Sequence, residues 1–244
     1  MRFHVRMGSI GLQYAKQNGI GECRLHQQVY PTMFILQSML RVIIIFILSF
    51  INTFQTRKPI TILFMGDSLT AGYGLTVEES FPSIAGKILN QRGIQVNVIN
   101  SGISGDTSAG GLARTDWVLR QPIDIFFLEL GANDGLRGLP VGETKKNLQA
   151  IIDKVKKKHP KIKIILAGMM VPPNMGKDYS REFEQMFKDL AAKNHCTRIP
   201  FLLEGVGGIA SLNQSDGIHP TAKGHQIVGE NVAKTIERLL ISTR

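Results

Sequence analysis

Ordered alternation begins at residues 60–64, where Ile60, Thr61, Ile62, Leu63 and Phe64 run into Met65 and stop at Gly66-Asp67-Ser68-Leu69. A run of this length closed by glycine reads as a buried strand entering a turn. Residues 77–91 then carry Phe81, Ile84, Ala85, Ile88 and Leu89 at helical spacing, with Gly93 as the stop. A second strand is predicted at 94–99, followed by a polar loop at 100–107. In that loop Asp106 or Thr107 can cap a helix running through Leu112, Trp117 and Leu119. A third strand at 123–130 leads into a polar loop at 131–135. Residues 143–158 read as a helix with Leu148, Ile151, Ile152 and Val155 on one face. A strand at 162–169, a helix at 178–193, a short strand at 199–203, a long loop at 205–215 and a helix at 221–240 complete the pattern. Strands alternating with helices at this spacing predict the α/β class: one three-layer domain over 58–244 with a five-stranded parallel sheet.

Residues 1–32 are polar and aperiodic, and no core is expected from them. The run at 42–51, VIIIFILSFI, is broken only by Ser49 and preceded by Arg41. A spanning helix needs about 20 apolar residues, whereas a charged n-region before a short apolar stretch has the form of a secretory signal. Arg41 and the Arg57-Lys58-Pro59 linker weaken the alternative of a buried core helix. Residues 1–57 are thus expected to be an N-terminal extension with a signal-like or anchor segment at 39–56, and any membrane contact falls within 33–51. Export to the periplasm or outside follows. Residues 52–56 offer no small-x-small cleavage pair, which keeps a membrane-anchored form as the alternative. Signals begin near the chain start, so Met33 and Met39 are candidate initiators.

The formal charge of +10 raises the question of nucleic acid, but its distribution answers it. Residues 57–244 hold 24 Lys and Arg against 18 Asp and Glu, and Lys154, Lys156, Lys157, Lys158, Lys161 and Lys163 form one run. That run closes a predicted helix, where cations oppose the negative end of the dipole, so a solvated helix end is expected and no nucleic-acid partner. The two cysteines, Cys23 and Cys196, give neither a disulfide framework nor metal-ligand spacing. No metal and no cofactor are expected.

Four polar turns, 66–70, 100–107, 131–135 and 213–220, fall at the edge of the sheet where α/β proteins bind ligands. The first holds Ser68, which can be a nucleophile or a helix N-cap. The last holds Asp216-Gly217-Ile218-His219. Asp-x-x-His brings a carboxylate to one ring nitrogen and leaves the other free to take a serine proton. Glycine and asparagine in the two middle loops can aim N–H donors at an oxyanion. The rival reading makes the glycine-rich loop 102–111 a phosphate cradle in a nucleotide-binding module. It lacks both G-x-G-x-x-G and a following lysine. The serine sits in G-D-S-L-T, which also disfavours an α/β-hydrolase proper, with its G-x-S-x-G.

GDSLTAGYGL, SGISGDTSAGGLAR, ELGANDGLRG and DGIH, in that order over residues 60 to about 238, resemble the four blocks of the SGNH, or GDSL, hydrolases. They are most similar to the bacterial periplasmic thioesterase, lysophospholipase and arylesterase branch. The resemblance implies a flavodoxin-like α/β/α fold and a Ser-His-Asp esterase working through an acyl-enzyme. Ser68 is then the nucleophile, His219 the base and Asp216 its orienting partner. The backbone N–H groups of Ser68 and Gly105 and the Asn133 amide form the oxyanion hole, while Asp67 shapes the turn. Leu69, Tyr73, Leu75, Leu136, Leu139, Pro140, Val171, Pro172 and Pro173 are expected around Ser68. So apolar a rim suits a small-molecule ester or thioester; an acetylated carbohydrate is the alternative substrate.

Overall fold

The computed structural model describes residues 36–44 and 58–241. The chain divides into two units, Met1–Thr56 and Arg57–Arg244. In the first, residues 36–44 are helical and exposed. The rest of the signal-like segment lies outside the described residues. Among those described, no helix is long and apolar enough to cross a membrane.

In the second unit five strands, β1 (Ile60–Gly66), β2 (Val96–Gly102), β3 (Ile125–Leu128), β4 (Lys163–Ala167) and β5 (Thr197–Ile199), form one sheet in the order β2-β1-β3-β4-β5. All its pairings are parallel. Ile62, Leu63, Phe64 and Met65 of β1 are fully buried, as a central strand covered on both faces requires. The helices are α1 (Ser68–Ala71), α2 (Phe81–Gln91), α3 (Ser108–Val118), α4 (Ala132–Leu136), α5 (Val141–Lys158), α6 (Lys177–Asn194) and α7 (Ala222–Ile241). α2 packs on α7, while α3 packs on α5 and α5 on α6, giving the predicted three layers.

Strand order reverses direction at β1. The chain steps out to β2 and then returns to β3 on the other side, which opens a crevice at the carboxyl ends of β1 and β3. The predicted element types hold, with four local corrections. Residues 77–91 are not one helix: a 3-10 turn, Val77–Glu79, precedes α2, because Ser80 is extended and Pro82 suits only a helix start. β2 runs on through Asn100, Ser101 and Gly102, which pair with Phe64, Met65 and Gly66. The polar loop expected at 131–135 is mostly α4. β5 lies earlier than 199–203, since its register is set by pairing Thr197 with Ile165.

α2 and α7 are pinned by a polar contact inside their interface. The backbone N–H of Phe81, in the first turn of α2, donates to Nδ1 of buried His225 at 3.1 Å. That donor has no intrahelical acceptor. Burial pushes the His225 imidazole down to about 4. At the opposite edge of the sheet from the crevice, the strand starts and helix ends carry exposed Lys58, Arg120, Lys157, Lys158 and Lys161.

Candidate active site

β1 ends at Gly66, and the next residues turn at once into α1. Asp67 is the N-cap of that helix: its Oδ1 accepts the Leu69 N–H at 3.0 Å. The N-cap reading of Ser68 therefore falls, since Asp67 holds that place and the Ser68 hydroxyl is not spent on capping. Gly72 closes the helix in the left-handed region with φ of 78°. The tight turn needs bare backbone beside it. A Cβ on Gly66 would lie 2.0 Å from Thr70 Oγ1, and one on Gly102 would lie 2.2 Å from the Ala71 nitrogen. Arg114 ties the surroundings together. Its Nε pairs with Asp106 Oδ2 at 2.7 Å, and its Nη atoms donate to the Ser101 and Gly66 carbonyls at 2.8 and 3.0 Å.

His219 comes from the loop between β5 and α7. The loop is cinched at its neck by the Gln214 N–H to the His219 carbonyl at 2.7 Å and the Thr221 N–H to the Leu212 carbonyl at 2.8 Å. Asp216 Oδ1 accepts the N–H groups of Ile218 and His219, both at 3.0 Å. Its Oδ2 lies 2.7 Å from His219 Nδ1. These bonds, led by the His219 N–H and ring, hold the Asp216 carboxyl down to about 2. A carboxylate there assigns the proton of the neutral ring to Nδ1. Nε2, the remaining acceptor, is 2.9 Å from Ser68 Oγ. The Tyr73 ring lies over the imidazole, with centroids 4.5 Å apart and planes 35° apart.

The three predicted oxyanion donors border the same space as Ser68 and His219. The N–H of Ser68 opens α1, and the N–H of Gly105 lies in a turn; neither meets a protein acceptor among the described residues. Asn133, in the first turn of α4, differs. Its Nδ2 donates to the Asp106 carbonyl at 3.0 Å and to Asp67 Oδ2 at 3.1 Å. Asp106 is therefore part of the scaffold rather than the α3 cap, which is Thr107.

Beneath the turn lies a residue that the sequence pattern hid. Glu129, just past β3, is fully buried. Its Oε2 accepts the Asp67 N–H at 3.1 Å and the Thr70 hydroxyl at 2.7 Å. Burial, then the neighbouring Asp67 charge, pushes the Glu129 carboxyl well above the usual range. Burial also raises Asp67, to about 6. Glu129 was concealed in the apolar run IDIFFLEL. A lone carboxyl at the end of a buried strand was the available signal.

The space above Ser68 is a cleft of about 610 Å³. Of the expected rim, Leu69, Tyr73, Leu136, Val171 and Pro172 line it, whereas Leu75, Leu139 and Pro140 are not among its lining residues. Met169, Met170, Phe201, Leu203 and Ile218 complete the apolar wall. They follow β4 and β5 or flank His219, and only the strand order brings them to Ser68. The phosphate-cradle reading of 102–111 meets an obstacle. The Asp134 carboxylate accepts the Ser108 N–H at 2.8 Å and the Ser108 hydroxyl at 2.5 Å, so an anion already occupies the start of α3.

Residues 64–227 match the GDSL-like lipase/acylhydrolase family. The chain is 37% identical over 187 residues to esterase TesA of Pseudomonas aeruginosa, covering 76% of this chain and 92% of that protein. It is 38% identical over 180 residues to an arylesterase of Vibrio mimicus, 73% and 89% of the two chains. It is 34% identical over 190 residues to thioesterase 1/protease 1/lysophospholipase L1 of Escherichia coli, 77% and 88% of the two. A crystal structure of TesA superposes with a TM-score of 0.70 at 38% identity, covering 73% of this chain and 99% of that one.

Proposed function

The chain belongs to the GDSL-like lipase/acylhydrolase family, and from that premise we propose that Ser68, His219 and Asp216 are the catalytic triad of this ester hydrolase. The observation that carries the assignment is the continuous hydrogen-bonded line from Asp216 Oδ2 through the His219 ring to Ser68 Oγ. Ser68 Oγ attacks the substrate carbonyl as its proton passes to His219 Nε2. The resulting imidazolium is stabilised by Asp216, whose low-lying carboxyl remains ionised. Negative charge on the former carbonyl oxygen is met by the N–H groups of Ser68 and Gly105 and by the Asn133 amide. Collapse expels the alcohol or thiol, which takes the proton from Nε2. A water activated by the same nitrogen then releases the acid from the acyl-enzyme.

The apolar wall of the cleft favours acyl and aryl groups, and the substrates are carboxylic esters and thioesters of small to medium acyl size. The names of its relatives (esterase, arylesterase, thioesterase and lysophospholipase) support the same range. Ser68→Ala is expected to keep the fold by circular dichroism and to abolish turnover of a short p-nitrophenyl ester. Retained turnover would refute the nucleophile. A panel of acyl-thioesters, aryl esters, lysophospholipids and acetylated sugars ranks the substrates, and preference for the sugars would reject this class.

Residues 58–244 form the hydrolase domain and residues 1–57 an extension whose 39–56 segment directs export. As a spanning helix, that segment would bury Arg41, at a cost of about 2.5–3.5 kcal/mol. As a signal it leaves Arg41 on the cytoplasmic side. Cell fractionation with N-terminal sequencing tests this, and an intact cytosolic chain would contradict it.

A further inference from the structure

We propose that Glu129 is a positioning residue of the hydrolase: a neutral carboxylic acid that donates to the Asp67 carboxylate and so holds the Ser68 turn and the Asn133 amide in register. The inference rests on Ser68 being the nucleophile and Asn133 an oxyanion donor. It begins from an orphaned atom. Glu129 Oε2 has two donors, but Oε1 is buried with no hydrogen-bond donor. No Lys or Arg pairs with Glu129 or with Asp67 among the described residues. An ionised carboxylate in that position would be a buried charge without a counterion, which proteins avoid by protonation.

Asp67 is the adjoining buried carboxyl, and two such groups in contact share a proton rather than both ionise. Their partners decide which keeps it. Asp67 accepts an N–H on each oxygen, from Leu69 and from Asn133. Those contacts stabilise its ionised form. Glu129 has both donors on one oxygen, which is the pattern of a carboxylic acid whose Oε2 is the carbonyl and whose Oε1 bears the hydrogen. The Asp67 side chain neighbours the Glu129 carboxyl, and the Asp67 N–H sits on its Oε2. A chain of contacts results: Glu129 fixes Asp67 through both its backbone and its carboxylate, and Asp67 fixes Leu69 at the base of α1 and the Asn133 amide. Gly66 is what admits the acid, since a Cβ there would lie 2.3 Å from Oε2.

Glu129→Gln tests the protonation state because it keeps the carbonyl acceptor and replaces the O–H donor with N–H. Glu129→Leu removes both. With full-length protein in slightly alkaline buffer, infrared spectroscopy is expected to show the carbonyl stretch of one protonated carboxyl, absent from Glu129→Gln. The Gln variant is expected to retain near wild-type kcat. The Leu variant is expected to lose kcat, by up to about 100-fold if the reacting groups shift by an ångström, with KM little changed. Absence of the band, its persistence in Glu129→Gln, or equal loss of kcat in both variants would overturn the proposal. If Glu129→Leu does not fold, the spectra of the wild type and the Gln variant decide alone. They do not depend on turnover, so a failure of the Ser68 assignment is read separately from Ser68→Ala.

Discussion

In the resting site the Asn133 amide spends one hydrogen on the Asp106 carbonyl and the other on Asp67 Oδ2. On the proposed mechanism, an oxyanion forming beside Ser68 has to share or take the second. The weaker ground-state carbonyl competes poorly for it, so the bond to substrate strengthens as charge develops, which is the condition for lowering a barrier. Asn133→Ala is expected to lower kcat by about 10²–10³-fold, with the smaller effect on KM. Steady-state kinetics on an aryl ester check this, and a change confined to KM would make Asn133 a substrate-positioning group. At this scale the sequence was informative where the chemistry is local. Asp216 and His219 lie three residues apart on one loop, and Ser68 follows a strand end. Glu129 escaped notice because its meaning depends on Asp67 and Thr70, distant in sequence and adjacent only after β1 pairs with β3.

Helices α2 and α7 meet over a neutral histidine, and that gives their packing a pH dependence with a definite sign. Folded His225 titrates near 4, against an ordinary 6.5. Between those values the unfolded chain binds the proton and the folded chain does not, so stability falls as pH drops from about 6.5 towards 4. Asp67, raised to about 6, acts in the opposite direction because there the folded state binds the proton. Comparing wild type with His225→Asn isolates the histidine. The thermal midpoint of the wild type is expected to fall more steeply across that window than that of the variant, as read by circular dichroism. Element types were legible from periodicity because the helices are amphipathic and the strands are buried runs. Element ends were less so. α4 forms from Ala-Asn-Asp-Gly-Leu, residues that look like a loop, because Asp134 has a buried place against Ser108 and Thr144. β2 continues through polar Asn100 and Ser101 because β1 supplies its ladder.

Across the whole molecule, a parallel sheet sends all strand ends that carry chemistry to one side and all strand beginnings to the other. The alternation of elements made that polarity readable, but the cleft wall depended on strand order, which no local pattern contains. The far side is where Lys58, Arg120, Lys157, Lys158 and Lys161 stand exposed, while Arg137, near the cleft, donates to the Gly105 carbonyl. A sulfonate bead at low ionic strength is therefore expected to take hold of the protein from behind. Turnover of a soluble ester per adsorbed molecule should stay close to that in solution, and salt should release the enzyme with its rate unchanged. A rate that collapses on the bead and returns on elution would mean that the cleft faces the resin. On the first outcome, charge laid down at the ends of helices is a grip that leaves the working mouth open to solvent.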